Sequence, residues 1–450
     1  MDSSRPAAAD GRDGWTQRVL TLSPKRRGIF IWTKKLTDEM PEIRTCKVGV
    51  VNLFLRATDA ALTINENADP DVRVDLEKSL DEIAGGDADP RVLASFVGVS
   101  IDVPVHDGRL ALGTWQGLYL CELRGGAGRT VEVVATLLSV DDVKATRKTT
   151  IAAPRRGCHL VHDSVESALG PAVRAAQQSA GKPGLANVLL RHTSASLTVN
   201  ENADPTVRTD MEAALNRIVP ESWNDWFMHT DEGPDDMPAH VKSTLFGAAL
   251  TIPVDARGKL HMGTWQGVYL CEHRDVGGFG GGHAREVIVT LPSGGAEANT
   301  AGQAVVTVTA PRRGCHDITP QIEAAIEGVL GGGVETGWLN MFIQHTSASL
   351  TVSDRSDADE AGEVLEAALN RTVPEAWNNE FFKHTYEGPD DMPGHVKSSI
   401  MGVSITVPVV RGKLGLGKGQ GVFLCEHRDT GGFGCNLNRR VVLTLQGSPA

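Results

Sequence analysis

Nowhere in this chain do apolar residues run on for the roughly 18 positions that a membrane helix requires, so no such span is expected. Its opening residues, MDSSRPAAADGRDG, hold no apolar stretch of the kind a secretory signal carries. Seven cysteines follow no disulfide-framework spacing. Three of them, Cys121, Cys271 and Cys425, recur at one position of an apolar strand and read as reduced core residues of a cytoplasmic protein. HExxH, paired CxxC motifs and a phosphate loop are all missing. Positive charge is also in deficit, with 44 Lys and Arg against 56 Asp and Glu for a formal net charge of −12. That balance argues against nucleic acid or an anionic membrane as partner and leaves room for a local basic pocket.

What the chain has is repetition. RRG begins a unit at Arg26, Arg155 and Arg312, and GTWQGLYLCELR (Gly113–Arg124) returns as GTWQGVYLCEHR (Gly263–Arg274) and GKGQGVFLCEHR (Gly417–Arg428). HTDEGPDDMPAHVKSTLFG (His229–Gly247) is matched by HTYEGPDDMPGHVKSSIMG (His384–Gly402), an insert that the first unit mostly lacks. The period is of domain size, with units at residues 1–147, 148–300 and 301–450 of a 450-residue chain. Small-residue stretches such as PSGGAEANTAGQ read as linkers.

Within unit two, apolar spacing predicts a helix over His162–Ser179 and a strand from Ala186 to about Val199. A second helix, Asp204–Ile218, would be capped by Asp204 ahead of Pro205. Three strands are expected after it: His240–Val254 with a break, Lys259–His273 and Arg285–Leu291. The glycine-rich GGFGGG after Arg274 is taken as a hairpin loop. The expectation is an α+β unit built on an antiparallel sandwich or barrel with two helices.

The motifs RGCHLVHD, HTSASLTVNENADP, EGPDDMPAHVKS and GTWQGVYLCEHR of unit two resemble the YjbQ-like family, known as secondary thiamine-phosphate synthases. The resemblance covers nearly the whole chain, three times over. It implies a fused trimer, an intrachain pseudo-trimer that is itself monomeric or pairs further. It also implies the joining of a pyrimidine pyrophosphate to a thiazole phosphate.

On a strand, side chains alternate, so His192, Ser194, Ser196, Thr198 and Asn200 share one face. They form either a ligand wall or a solvated surface. The turn-forming loop 229–240 gathers His229, Asp231, Glu232, Asp235, Asp236 and His240, a set suited to acid–base work or a divalent metal. From these we expect His192, Glu232, Asp236 and His240 of unit two, with His345, Glu387, Asp391 and His395 of unit three, to act catalytically. Lys242, Arg274, Lys397 and Arg428 are candidate phosphate contacts, or else ordinary ion pairs. Trp115 and Trp265 either stack on a substrate ring or pack between units. Zinc or magnesium is not demanded by spacing, but its candidate ligands are His159, His192, His240, His273, His316, His345, His395 and His427.

The motif residues divide into two sets. One holds the histidines and the acidic loop; the other holds the NEN and GTWQG residues Asn65, Glu66, Trp115, Gln116, Asn200, Glu201, Trp265 and Gln266. On an extended strand, His192 and Asn200 stand roughly 26 Å apart, too far for one compact pocket. Unit one keeps the second set but has Phe30, Ala57 and Leu123 where histidines should be. Unit three keeps the first set but carries Ser353, Asp354, Arg355, Lys418 and Gly419 in place of the second. If each site joins the histidines of one unit to the NEN of the unit before, two sites are whole and every loss falls at the third seam.

The leading expectation is therefore a thiamine-phosphate-synthase-like enzyme for a small phosphorylated substrate, with composite sites. A metal-dependent hydrolase on the same groups and a non-catalytic ligand-binding scaffold are the rivals. Asn65→Ala or Trp115→Ala is expected to damage the site that contains His192; unchanged activity in either variant would refute the shared-seam arrangement.

Overall fold

The computed structural model describes residues 14–86, 89–126, 128–179, 182–275, 284–292, 300–329, 333–429 and 437–449. Three α+β units follow one another, each made of two curled antiparallel sheets. In unit one the larger sheet runs in the order Gly14–Leu22, Val131–Val140, Val48–Leu55, Ser100–His106, Arg109–Leu110. The smaller sheet runs Gly28–Ile31, Gln116–Glu122, Ala60–Glu66. Unit two repeats the smaller sheet as Gly157–Leu160, Gln266–Glu272, Ala195–Glu201, and unit three as Gly314–Asp317, Gln420–Glu426, Ala348–Asp354. Central strands such as Val48–Leu55 and Gln116–Glu122 are buried at every position, since sheets or helices cover both faces. They consequently show no alternation.

Two predicted elements differ. The run 186–199 is not one strand: Gly184–Leu190 belongs to the large sheet and Ala195–Glu201 to the small one. His192, Thr193 and Ser194 make the crossing, so only Ser196, Thr198 and Asn200 share a strand face. The predicted strand from His240 begins instead as a helix, Asp236–Phe246, followed by the strand Ala249–Val254. All eleven residues of that helix are buried. It therefore lacks the polar stripe that reveals helical period, and its Val241 and Thr244 mimic a strand. Gly233, at φ 109°, turns the chain into it, a conformation that side chains disfavour. The run 277–282, read above as a hairpin loop, lies outside the described residues. Among the described residues, no helix is long and apolar enough to cross a membrane.

The units close into a ring through their GTWQG segments. Gln116 donates its amide to the carbonyls of Leu190 and His192, Gln266 to those of Ile343 and His345, and Gln420 to those of Leu55 and Ala57. Gly113 makes way for this approach, because a Cβ there would stand 2.7 Å from the Arg191 carbonyl oxygen. The glutamine is needed at every seam, and unit three keeps it in GKGQG although it has lost the tryptophan. Gln116 and Gln266, expected to bind substrate, are buried clasps between units instead.

On the pseudo-threefold axis the equivalent positions are Asp102, Thr251 and Thr406. Asp102 Oδ2 accepts from Thr251 Oγ1 at 2.6 Å and from Thr406 Oγ1 at 2.7 Å, while Oδ1 accepts from Asn52 Nδ2 at 2.8 Å. Burial pushes this carboxyl above its ordinary range. Three aspartates could not meet there, but one between two hydroxyls can. Asp102→Ala takes the acceptor from both hydroxyls and leaves the Asn52 amide with Ser100 Oγ alone, and should cost about 2–4 kcal/mol in denaturant unfolding. A change under about 0.5 kcal/mol would mean that the axial network contributes nothing.

Candidate functional site

The helix Asp236–Phe246 of unit two lies against strand Ala60–Glu66 of unit one, and helix Asp391–Met401 of unit three against strand Ala195–Glu201 of unit two. Asn65 fastens the first of these contacts. Its Nδ2 donates to the His240 carbonyl at 2.9 Å and to Thr244 Oγ1 at 2.8 Å, and its Oδ1 accepts from Glu66 N and His240 Nδ1. Asn200 donates in the same way to the His395 carbonyl and Ser399 Oγ, both at 2.8 Å. Both asparagines are fully buried, so their work is to hold the neighbour's helix rather than to bind substrate.

The next residue brings charge. Glu66 Oε2 lies 3.3 Å from His240 Nε2, and Asp236 Oδ2 lies 3.4 Å from the same nitrogen. His229 bridges Asp69 of unit one and Asp236 of its own unit, 2.9 Å from the latter. The second seam repeats this: His395 Nε2 is 3.3 Å from Glu201 and 3.4 Å from Asp391, and His384 joins Asp204 at 2.8 Å to Asp391 at 2.9 Å. Helix aspartates of the preceding unit pin the loops. Asp75 accepts from the main-chain N–H of Met228 and His229, Asp210 from those of Lys383 and His384.

Ligand atoms of Glu66, His229 and His240 lie within 4.8 Å of one another, as do those of His229, Glu232 and Asp236. Glu201, His384, His395 and His384, Glu387, Asp391 repeat both groups. Two imidazoles with several carboxylates fit a divalent cation of the zinc type, since magnesium favours oxygen ligands alone.

Four expectations are redirected. Lys242 is buried and donates to Asn216 Oδ1 at 2.6 Å within its own unit; burial and Arg156 push it down to about 8. Lys397 does the same on Asn370, so neither lysine stands free for a phosphate. Arg274 is engaged by Asp235 at 3.0 Å, by Asp236 and by the Glu232 carbonyl at 2.6 Å, and Arg428 likewise by Asp390, Asp391 and the Glu387 carbonyl. They position the aspartates of the cluster. His159 and His316 turn Nε2 to main-chain carbonyls of Arg155 and Arg312, while His273 and His427 are buried on Ser196 and Ser349 at 2.8 Å. Among the described residues, none of these four joins a carboxylate cluster.

His192 faces the Ser194 N–H at 3.1 Å and the Arg285 guanidinium at 3.0 Å. Burial and Arg285 push it down to about 3, and burial with Arg439 does the same to His345. Such rings stay neutral at physiological pH and are weak bases. His395 is the opposite case. Although burial lowers it, pairing with the Asp391 and Glu201 carboxylates outweighs that and raises it to about 9. Asp391 is held far below its ordinary range by His384 and His395 against the opposing pull of burial.

His384, Asp69, Asp204, Asp75 and Asp210 were given no site role by sequence reasoning, and His229 only a place in the acid–base or metal-binding loop, although all are legible in the repeats. Trp115 and Trp265 remain 62% and 64% exposed beside the seam clasps, available to a ligand ring.

A family model described as UPF0047 protein YjbQ-like matches residues 18–138, 147–293 and 304–448. The UPF0047 protein YjbQ of Escherichia coli O157:H7 is 46% identical over 142 residues, 32% of this chain and 93% of that relative. A UPF0047 protein of Synechocystis sp. is 49% identical over 113 residues, covering 25% and 72%. A YjbQ/UPF0047-family crystal structure from Clostridium acetobutylicum is 28% identical, covering 32% of this chain and 99% of that one, with a TM-score of 0.26.

A folded pKa of about 9 for His395 lies above its unfolded value near 6.5. Its contribution to stability is complete below pH 6.5 and is lost as pH rises through 9. Metal-free protein should therefore lose thermal stability across that window, and Glu201→Gln should flatten the loss. A melting temperature indifferent to pH from 6.5 to 9 would contradict the ion pair.

Proposed function

Because the chain belongs to the YjbQ-like UPF0047 family in three successive copies, we propose that it works through two composite divalent-metal sites. One lies at the seam of units one and two, the other at the seam of units two and three. Both act on a small phosphorylated molecule in the cytoplasm. The observation that carries this is the convergence of Glu66 with His229 and His240, and of Glu201 with His384 and His395. The carboxylate comes from one unit and the imidazoles from the next. A divalent cation held there would polarise a phosphoryl oxygen.

The chain's own groups have separable tasks. Arg274 and Arg428 fix Asp236 and Asp391, so a ligand's negative charge has to be met at the cluster rather than by a free guanidinium. Glu387 is raised by burial and by the neighbouring Asp391 and Glu201 carboxylates, which suits it to hold a proton at the mouth. Trp115 and Trp265 offer exposed rings for stacking. Transfer between a pyrophosphate and a thiazole phosphate is the reaction the family resemblance implies. Metal-activated hydrolysis is favoured by the imidazole-rich donor set.

Zinc titration followed by calorimetry should give two equivalents per chain. Protons should be released as His395 gives up its own. Glu66→Gln should remove one equivalent, and Glu66→Gln with Glu201→Gln both. Stoichiometry untouched by these changes would overturn the composite sites. Phosphate release that survives chelation would overturn the metal's part.

A further inference from the structure

The two seams that keep every cluster residue are not copies of each other. Where the loop of unit two has Asp231, that of unit three has Tyr386. The Tyr386 ring sits edge-on to His384, with centroids 4.8 Å apart, and His384 is itself fully buried between Asp204 and Asp391. Tyr386 is 63% exposed, so it roofs the cluster from the solvent side. The carboxylates of Asp204, Glu201 and Glu387 surround the phenol at the mouth of that seam. On the other side of the seam, the Trp265 carbonyl accepts from Asn202 N at 2.8 Å. This sets the exposed tryptophan one residue from Glu201, whose carboxylate faces His395. The loop position before the cluster histidine differs too: Met228 in unit two, Lys383 in unit three.

These exchanges act in one direction. The seam of units one and two has Trp115 as its only exposed aromatic among these positions, and Asp231 adds a carboxylate beside Glu232. The seam of units two and three has a second ring, and its loop carries the exposed Lys383 in place of Met228. An anionic ligand is repelled less there, and an aromatic one finds an edge or face contact on Tyr386 in addition to the tryptophan.

We propose that the seam between units two and three is the selective site for aromatic monophosphates, with Tyr386 as the specificity-determining residue, and that the seam between units one and two, which has Trp115 but no ring in place of Tyr386, discriminates less between aromatic and aliphatic phosphates. This rests on the reading of both seams as phosphate-binding metal sites. It assigns different ligands to two sites that a symmetric ring would be obliged to keep identical.

The test is calorimetry on the zinc-loaded full chain with phenyl phosphate and methyl phosphate as probes. Wild type should bind phenyl phosphate strongly at one site per chain, about tenfold more tightly than methyl phosphate, and methyl phosphate at two sites with a smaller gap between them. Tyr386→Asp should abolish the strong phenyl phosphate site, and Asp231→Tyr should create a second. Both positions are on the surface loop and outside the buried cluster, so the exchanges leave zinc stoichiometry at two. Phenyl phosphate stoichiometry unaffected by the exchanges overturns the assignment to Tyr386 while leaving the phosphate reading standing. Failure of both probes at both seams, with zinc bound, overturns the phosphate reading and this assignment with it.

Discussion

A buried imidazole between carboxylates is tolerable only if the charges are matched, and in this molecule no unit can match them alone. His240 needs Glu66, His229 needs Asp69, and in the next pair His395 needs Glu201 and His384 needs Asp204. Each partner belongs to the unit before. An isolated unit would leave its histidines facing Asp236 or Asp391 on one side and nothing on the other, and its glutamate without a counterion. The rest follows from that dependence. The asparagine beside each glutamate grips the neighbour's helix, the helix aspartate pins the neighbour's loop, and the glutamine of each GTWQG segment holds the next main chain.

The third seam shows what happens when the dependence is released. Arg91 occupies the place before Gly98 that His240 holds before Gly247, and Asp354 holds the register of Glu66 opposite the clasp glutamine. Arg91 makes a bidentate pair with Glu360 at 2.8 and 2.9 Å and stands 3.9 Å from Asp354. Cation still faces anion across the boundary, but a permanently charged guanidinium replaces the imidazole. Ser353 in place of asparagine leaves Ser95, the equivalent of Thr244, without its partner. The boundary remains as adhesion, without the groups for chemistry.

Much of this was legible. The three units, their antiparallel α+β character and the pairing of one unit's histidines with the previous unit's NEN segment all follow from repeats and from which residues are lost together. The helix carrying His240 was missed because burial on all sides removes the amphipathic period. The partners of His192, Lys242 and Arg274 were not legible because residue type does not reveal which neighbour satisfies a side chain. A lysine on Asn216 and an arginine on Asp236 look, in sequence, like free cations. Asp75 and Asp210 could have been found: both are present where the following unit has its loop, and Val364 stands in their place where it does not.

The axial carboxyl illustrates what covalent joining permits. In a ring of identical subunits, every substitution is stamped three times, and any residue placed at the centre must tolerate two images of itself. Here Asp102 meets two threonines and is content. The gene can edit one corner of the triangle at a time, so a boundary can fall silent, or two boundaries grow apart, without the symmetry of the whole enforcing a matching change elsewhere.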